Sequence, residues 1–169
     1  MPLFTALLLV FASAAGITYT APAGWKIVPT SSSMRVAQFA IPPAGGDTPA
    51  TDVVIYYFGE SGGTVDANIE RWLGQMHQPD GKPSSGVAKR DTRTINGLKV
   101  TLVDVSGTYI AEVTPGSKER HHSPNFRLRA AVIETSNGPY FVKLTGPANS
   151  VRAAERSFDD FIASIKYQP

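Results

Sequence analysis

Short hydrophobic runs with strand-like alternation occupy much of the chain and predict a β-rich protein. Residues 33–41 place side chains on two alternating faces and end at Pro42-Pro43, as expected for a strand followed by a turn. Residues 51–58 are rich in β-branched and aromatic side chains, which is typical of a central strand. The same signals predict further strands at residues 17–20, 25–28, 87–95, 98–108, 126–135 and 140–145.

Two turn sequences indicate that neighbouring strands are antiparallel. Asn96-Gly97 joins two of the predicted strands, and both of its residues tolerate the positive φ angles that a tight hairpin needs. Residues 137–139, with the sequence Asn-Gly-Pro, form the turn of a second hairpin. Residues 109–113 either extend the strand before them or form one more, and a polar loop follows.

Apolar residues spaced three and four positions apart predict two amphipathic helices. The first spans residues 65–77 and begins after Thr64, whose hydroxyl is a suitable N-cap. The second begins after Gly146-Pro147 and runs toward the end of the chain. The apolar stripes consist of Val65, Ile69, Trp72, Leu73 and Met76 in the first helix, and of Val151, Ala154, Phe158, Phe161, Ile162 and Ile165 in the second. Both stripes are expected in the core.

The order of these elements, β-β-β-α-β-β-(β)-β-β-α, predicts an α+β fold. Helices do not alternate with single strands, and the hairpin turns imply antiparallel pairing, which argues against a doubly wound parallel sheet. We therefore expect an antiparallel sheet of about six or seven strands packed with two main helices. Residues 15–169 contain no repeat or long linker and are expected to form a single domain.

The N-terminus has the pattern of a secretory signal peptide. Residues 3–15 form an apolar run in which only Thr5 and Ser13 are polar, shorter than the ~20 residues that a membrane-spanning helix needs. Residues 12–14, Ala-Ser-Ala, match a cleavage site, although no basic residue precedes the run. The pattern predicts a signal peptide at residues 1–14 and a mature protein, without a transmembrane segment, in the periplasm or outside the cell. The alternative is a buried N-terminal helix or strand.

Composition excludes several kinds of chemistry. The 169 residues include no cysteine, which excludes disulfides, iron–sulfur clusters, thiol catalysis and zinc sites built on cysteine. The 16 basic and 14 acidic residues leave a net charge of +2, too small to indicate nucleic acid as a main partner. We expect a monomer without a cofactor.

Residues 59–63, Gly-Glu-Ser-Gly-Gly, fit the G-x-S-x-G pattern of a hydrolase nucleophile. They lie between a predicted strand and a predicted helix, and Asp104 with His121 or His122 could complete a triad with Ser61. However, two glycines and a threonine separate the serine from the helix, whereas a nucleophile elbow leads almost directly into one. The other interpretation is a glycine-rich turn, which could also attract an anion but lacks the lysine of a phosphate loop.

Two further clusters match functional patterns only in part. His121-His122 lacks the spacing of metal ligands, and His77 is distant in sequence, so exposed histidines are favoured over a metal site. Asp66 and Glu70 lie one helical turn apart, which is more typical of a solvated helix face than of paired catalytic acids. We predict no metal site.

The densest positive stretch is at residues 118–129. It contains Lys118, Arg120, Arg127 and Arg129 against the single acid Glu119. Such a stretch is either a patch that docks to an acidic partner or a solvated loop. The aromatic and basic pattern of an RNA-binding sheet is absent, which argues against nucleic acid.

Several segments together carry a resemblance to a known family. They are Pro22-Ala23-Gly24-Trp25, the strand at 33–41, the string Asn68-Ile69-Glu70-Arg71-Trp72 in the first helix, the Asn96-Gly97 hairpin and the Lys-Leu-Thr-Gly-Pro junction at 143–147. In this order they resemble the Mog1/PsbP-like group of α+β sandwiches, and within it uncharacterised bacterial exported proteins. Characterised members of the group are binding or assembly proteins, one docking to a photosynthetic complex and one to a small GTPase.

The resemblance implies an exported, non-catalytic domain that binds a protein partner or assists envelope assembly. No partner-binding residues are transferred from those proteins, because fold alone does not specify a site. A small serine hydrolase using Ser61 is the alternative function.

Overall fold

A computed structural model describes residues 11–14, 16–30 and 32–169, which form eleven strands and two helices. The strands are β1 (Phe11–Ala14), β2 (Ile17–Thr20), β3 (Lys26–Ile27), β4 (Arg35–Ile41), β5 (Thr51–Tyr57), β6 (Met76–His77), β7 (Lys89–Ile95), β8 (Leu98–Tyr109), β9 (Ser123–Glu134), β10 (Tyr140–Pro147) and β11 (Lys166–Tyr167). The helices are α1 (Val65–Leu73) and α2 (Ala148–Ser164). Short 3-10 turns at Gly59–Ser61 and Ser84–Gly86 precede α1 and β7.

Eight of these strands form one antiparallel sheet in the order β3-β4-β5-β10-β9-β8-β6, with β7 also paired to β8. A smaller sheet has the order β1-β2-β11. The predicted α+β class with antiparallel pairing is confirmed. The sheets contain more strands than the six or seven expected, partly because β6 and β11 have two residues each, too few to produce a sequence pattern.

The two helices pack on opposite faces of the main sheet, because successive residues of its strands enter different cores. Ala131 and Ile133 of β9 contact the core that α2 covers, whereas Ala130 and Val132 contact the core that α1 covers. We call these the α2 face and the α1 face. The helix residues in the two cores belong to the apolar stripes predicted from the sequence.

The predicted hairpin at Asn96-Gly97 forms between β7 and β8. Both residues have positive φ angles, 49° for Asn96 and 79° for Gly97, as this type of turn requires. The Asn96 side-chain amide also donates hydrogen bonds to the carbonyl oxygens of Ala163 and Ile165, at 2.9 and 2.8 Å. The turn therefore binds the C-terminal end of α2 as well as reversing the chain.

Helix α1 ends at Leu73 rather than at residue 77 as predicted. The N–H of Gly74 donates to the carbonyl of Glu70 and closes the helix, and the chain then turns toward the sheet. Met76 belongs to β6 and pairs with Tyr109 of β8. The apolar periodicity extends to Met76 because its side chain enters the same core as the helix residues, although its backbone is in a strand.

Most of the predicted signal peptide lies outside the described residues. Residues 1–10 are not described, whereas β1 pairs with β2 in a register that runs from Phe11 opposite Thr20 to Ala14 opposite Ile17. Across the described part of the chain, neither helix has the length and apolar character needed to cross a membrane.

Candidate binding cleft

A cleft of about 560 Å³ lies on the α1 face of the sheet. Strands β4, β5 and β10 form its floor, the C-terminal part of α1 forms one wall, and residues 113–115 form another. Its aromatic lining comes from Tyr56, Phe58, Trp72 and Phe141, and its basic lining from Arg35, Arg71 and Lys143. The cleft therefore offers both apolar contact and positive charge.

Lys143 is the most unusual residue of the cleft, because it is a lysine in the central strand β10 with only 8% of its surface exposed. It follows Phe141 on the same side of the strand, so its side chain extends over the α1 face. Its Nζ donates a hydrogen bond to Oε1 of Gln75 at 2.5 Å. The same nitrogen lies 5.3 Å from the centre of the Tyr109 ring, a distance at which the ring face stabilises a cation.

The environment of Lys143 disfavours its charged form. Burial, together with the positive charges of Arg71 and Arg35, lowers the pKa of Lys143 from 10.5 to about 7. Near neutral pH the side chain therefore exists as a mixture of amine and ammonium, which is unusual for lysine.

Arg35 and Arg71 are held in place by neutral groups. The Arg35 guanidinium lies 5.7 Å from the centre of the Tyr56 ring and donates to Oε1 of Gln38 at 3.0 Å. Arg71 donates to Oδ1 of Asn68 at 2.7 Å. Among the described residues, no carboxylate forms an ion pair with Arg35, Arg71 or Lys143. The cleft therefore carries positive charge that the chain does not neutralise by direct contact.

A second cavity of about 350 Å³ continues from the cleft and shares Arg35, Tyr56 and Lys143 with it. Asp52 of β5 lines this cavity. Burial raises the pKa of Asp52, and the charge of Arg35 opposes that rise. Burial also raises the pKa of Tyr56 and of Tyr109, so both phenols are neutral near pH 7.

Sequence reasoning did not single out Lys143 or Arg35 as site residues. The available signal was a lysine inside the apolar run of residues 140–144, since lysine is rarely buried in a central strand without a specific reason. Arg35 offered no comparable signal, because alternation in residues 33–41 placed it on one of two faces whose surroundings were unknown.

Ser61 lies in the exposed 3-10 turn that follows β5. Its Oγ donates a hydrogen bond to the carbonyl oxygen of Phe58 at 2.7 Å. In the described residues no histidine forms a hydrogen bond with this hydroxyl, and the strands around it are antiparallel. The structure therefore does not assemble Ser61 with Asp104 and His121 or His122 as a hydrogen-bonded triad.

His77, His121 and the helix carboxylate Asp66 belong to different elements of the fold. His121 stacks on Tyr109 with ring centres 5.7 Å apart, whereas His77 belongs to β6. Asp66 forms an exposed ion pair with Arg90 at 2.5 Å, which ties α1 to β7. Within the described ranges, no group of three or more histidine or acidic side chains has the arrangement of a metal site.

The four basic residues predicted as a docking patch have different environments. Arg127 and Arg129 lie on the α2 face, where Asp104, Glu155 and Asp159 surround them at 2.5 to 3.5 Å. The hydrogen bond to Asp104 raises the pKa of Arg127 further above its usual range. Lys118 and Arg120 are exposed in the loop, and Arg120 lies 3.9 Å from Glu112. Only the two loop residues are therefore available as an open basic surface.

The fold is shared with solved structures although the sequence is not closely similar to them. No family model and no curated protein matches this chain. LpqN of Mycobacterium tuberculosis, involved in cell envelope biogenesis, has a TM-score of 0.55 at 12% identity, covering 92% of this chain and 86% of LpqN. The PsbP protein CyanoP of Synechocystis has a TM-score of 0.52 at 13% identity, covering 90% and 86%.

A Pseudomonas aeruginosa protein of unknown function, PA94, is also similar. Its TM-score is 0.51 at 14% identity, and the match covers 95% of this chain and 97% of that chain. At identities of 12–14%, these similarities show a shared fold and nothing about a shared function. The predicted PsbP-like α+β fold is confirmed by these structures.

Proposed function

We propose that this chain is an exported, non-catalytic binding domain and that the cleft on the α1 face is its ligand-binding site. The observation that carries the proposal is the burial of Lys143 beside Arg35 and Arg71, with no carboxylate of the described residues paired to it. Taking a charge out of water costs several kcal/mol, and an apolar side chain of similar size would avoid that cost. Perturbed ionisable groups in clefts are frequent at functional sites for this reason.

The cleft is suited to binding rather than to bond cleavage. Its basic groups can hold an anion and its aromatic walls can hold an apolar group, whereas the serine considered as a nucleophile hydrogen-bonds to a backbone carbonyl. A binding domain in the cell envelope, acting on a partner protein or in envelope assembly, is consistent with the description of LpqN as involved in envelope biogenesis.

Fragment screening by NMR tests the position of the site. The two tryptophans report on different faces, since Trp72 lines the cleft and Trp25 packs against Phe39 and Phe161 on the α2 face. Fragments that bind the protein should shift the indole N–H signal of Trp72 and leave that of Trp25 unchanged. Fragments that shift only Trp25, or neither indole, would place the binding site elsewhere and contradict the proposal.

Reaction with a fluorophosphonate probe tests the absence of hydrolase chemistry. We expect no covalent labelling of the wild-type protein. Labelling that disappears in Ser61→Ala, while Ser157→Ala still labels, would identify a serine hydrolase. Ser157 is a suitable control because its hydroxyl also donates to a backbone carbonyl, that of Ala154, at 2.9 Å.

Export is tested by N-terminal sequencing of the native protein. A chain processed after the Ala-Ser-Ala motif should begin near Ala15 or Gly16. Processing there removes β1, and β2 keeps β11 as its remaining neighbour. A cytoplasmic protein that retains Met1 would contradict export while leaving the proposal about the cleft unaffected.

A further inference from the structure

We propose that the ligand of the cleft is a small amphipathic carboxylic acid, with its carboxylate near Lys143 and Arg35 and its apolar group against Trp72 and Phe58. This inference rests on the proposed function and specifies the chemistry of the ligand. It follows from the charge, the shape and the helix orientation at the cleft.

The positive charge of the cleft indicates that its ligand is an anion. Seven titratable or charged groups surround Lys143 in the cleft and the adjoining cavity: Arg35, Asp52, Tyr56, Arg71, Tyr109, Glu112 and His121. Arg120 and the backbone N–H of Gly116 already bind Glu112. Asp52 is the remaining acid, and it does not contact the three cations closely enough to form an ion pair. A bound carboxylate would supply the missing counter-charge.

The aromatic lining of the cleft indicates that the ligand also has an apolar group, which an inorganic anion lacks. The rings of Trp72 and Phe141 meet edge to face with their centres 5.9 Å apart, and the ring of Tyr56 stacks beside that of Phe58 with centres 6.1 Å apart. These rings can enclose an alkyl or aryl group. A volume of about 560 Å³ is within the range of sites for small organic ligands, whereas an extended peptide would need a longer groove.

The direction of α1 favours a carboxylate over a phosphate. The C-terminal end of α1 lies beside the cleft, which is lined there by Arg71, Trp72 and the following Gln75. This end of a helix carries a partial negative charge. Phosphate sites commonly use the opposite, N-terminal end, where free N–H groups face the ligand. A singly charged carboxylate meets less repulsion here than a dianion does.

Binding should depend on pH because a carboxylate prefers the ammonium form of Lys143. The pKa of this lysine is about 7 without ligand, so the required form is abundant at pH 6 and scarce at pH 8. If the ligand binds only this form, affinity should fall by about tenfold between these two pH values. Exchange of Lys143 for methionine should remove most of this dependence.

Calorimetric titration of the full chain with octanoate tests the proposal. At pH 6 we expect octanoate to bind and to shift the indole signal of Trp72 but not that of Trp25. Lys143→Met and Arg35→Gln should each weaken binding by about tenfold or more, since each removes a charge from the site. Arg152→Gln, a change on the exposed side of α2, is the matched control and should bind octanoate as the wild type does.

Three ligand controls decide the chemical class. 1-Octanol keeps the chain length without the charge, octyl phosphate replaces the head group, and a peptide with a leucine C-terminus carries the carboxylate on a protein-like ligand. Tighter binding of octanoate than of all three supports the proposal. Equal binding of 1-octanol, or preference for octyl phosphate or the peptide, overturns it. If octanoate fails to bind while other fragments shift Trp72, this inference is wrong and the proposed binding function stands.

Discussion

The positive charges on the two faces of the main sheet have different partners: half-buried arginines on the α2 face are ion-paired, and the buried Lys143 on the α1 face is not, within the described ranges. On the α2 face, Arg127 and Arg129 project from β9 and form ion pairs with Asp104 of β8 and with Glu155 of α2. On the α1 face, Lys143 projects from the neighbouring strand β10 and forms no ion pair with the described residues. Charge on the first face is neutralised within the chain, and charge on the second is available to a ligand.

The lengths of the two helices correspond to this difference. α2 has seventeen residues and α1 has nine, which correspond to about 26 and 14 Å of helix. The longer helix brings carboxylates over β9, whereas the shorter one ends beside the cleft and leaves β4 and β5 partly uncovered. The longer helix therefore covers its face of the sheet, whereas the shorter one leaves a cleft open on the other face.

Truncation of an aromatic residue on the α2 face should have the largest effect on stability. Phe158 is fully buried in the α2 core, so Phe158→Ala should lower the free energy of unfolding by about 3–5 kcal/mol. Met34 at the cleft is 47% exposed, and Met34→Ala should cost less than about 1 kcal/mol. Chemical denaturation measures both values. A loss below about 1 kcal/mol for Phe158→Ala would contradict the placement of this ring in the α2 core.

Removal of one acid from the α2-face network should have the next largest effect. Asp104 contacts both Arg127 and Arg129, and Asp104→Ala should lower the free energy of unfolding by about 1–3 kcal/mol, because Glu155 and Asp159 still compensate part of the charge. Asp66→Ala, which breaks an exposed pair with Arg90, is the control and should cost less than about 1 kcal/mol. If Asp104→Ala lowers the free energy of unfolding no more than Asp66→Ala does, the network contributes little to stability.

Removal of the Lys143 charge on the α1 face should raise the stability of the protein rather than lower it. At pH 6, Lys143→Met should raise the free energy of unfolding by about 1–2 kcal/mol, because a buried charge with no ion pair among the described residues is replaced by an apolar side chain of similar length. Thermal and chemical denaturation measure the change. A loss of stability would indicate that the hydrogen bond to Gln75 makes Lys143 a structural residue.

The stability gain of Lys143→Met should decrease as the pH rises. The pKa of Lys143 is lowered in the folded protein, so between about pH 7 and 10.5 the unfolded chain binds a proton that the folded chain has released. The free energy of unfolding of the wild type therefore rises with pH across this window. The variant lacks this contribution, and the difference between the two proteins should be smaller at pH 9 than at pH 6.

Changes in the exposed loop should have the smallest effect on stability. Lys118 has an exposed side chain in this loop, so Lys118→Ala should alter the free energy of unfolding by less than about 1 kcal/mol and leave octanoate binding unchanged. Docking of the patch formed by Lys118, Arg120, Arg127 and Arg129 to an acidic partner stays a prediction. Loss of octanoate binding in this variant would show that the loop contributes to the cleft.

The sequence by itself determined the elements and the fold class. Hairpin turns and helical stripes are local signals, because they depend on the φ preferences of Asn96-Gly97 and on the spacing of apolar residues within one helix. The same local pattern overextended α1 to residue 77, since it records which side chain is buried and not whether the backbone is helical. The glycine-rich serine motif was likewise a local match whose proposed partners the fold did not bring into hydrogen-bonding contact.

Only the tertiary structure decided how the charges are distributed. Pairing of β5 with β4 and β10 places Arg35 opposite Tyr56 and Lys143 opposite Val54, although these residues are far apart in the sequence. Packing of α2 over β9 turned two arginines of the expected docking patch into ion-paired residues. Strand register and helix placement result from the burial of the whole core, so no single segment of the chain contains the information that formed the cleft.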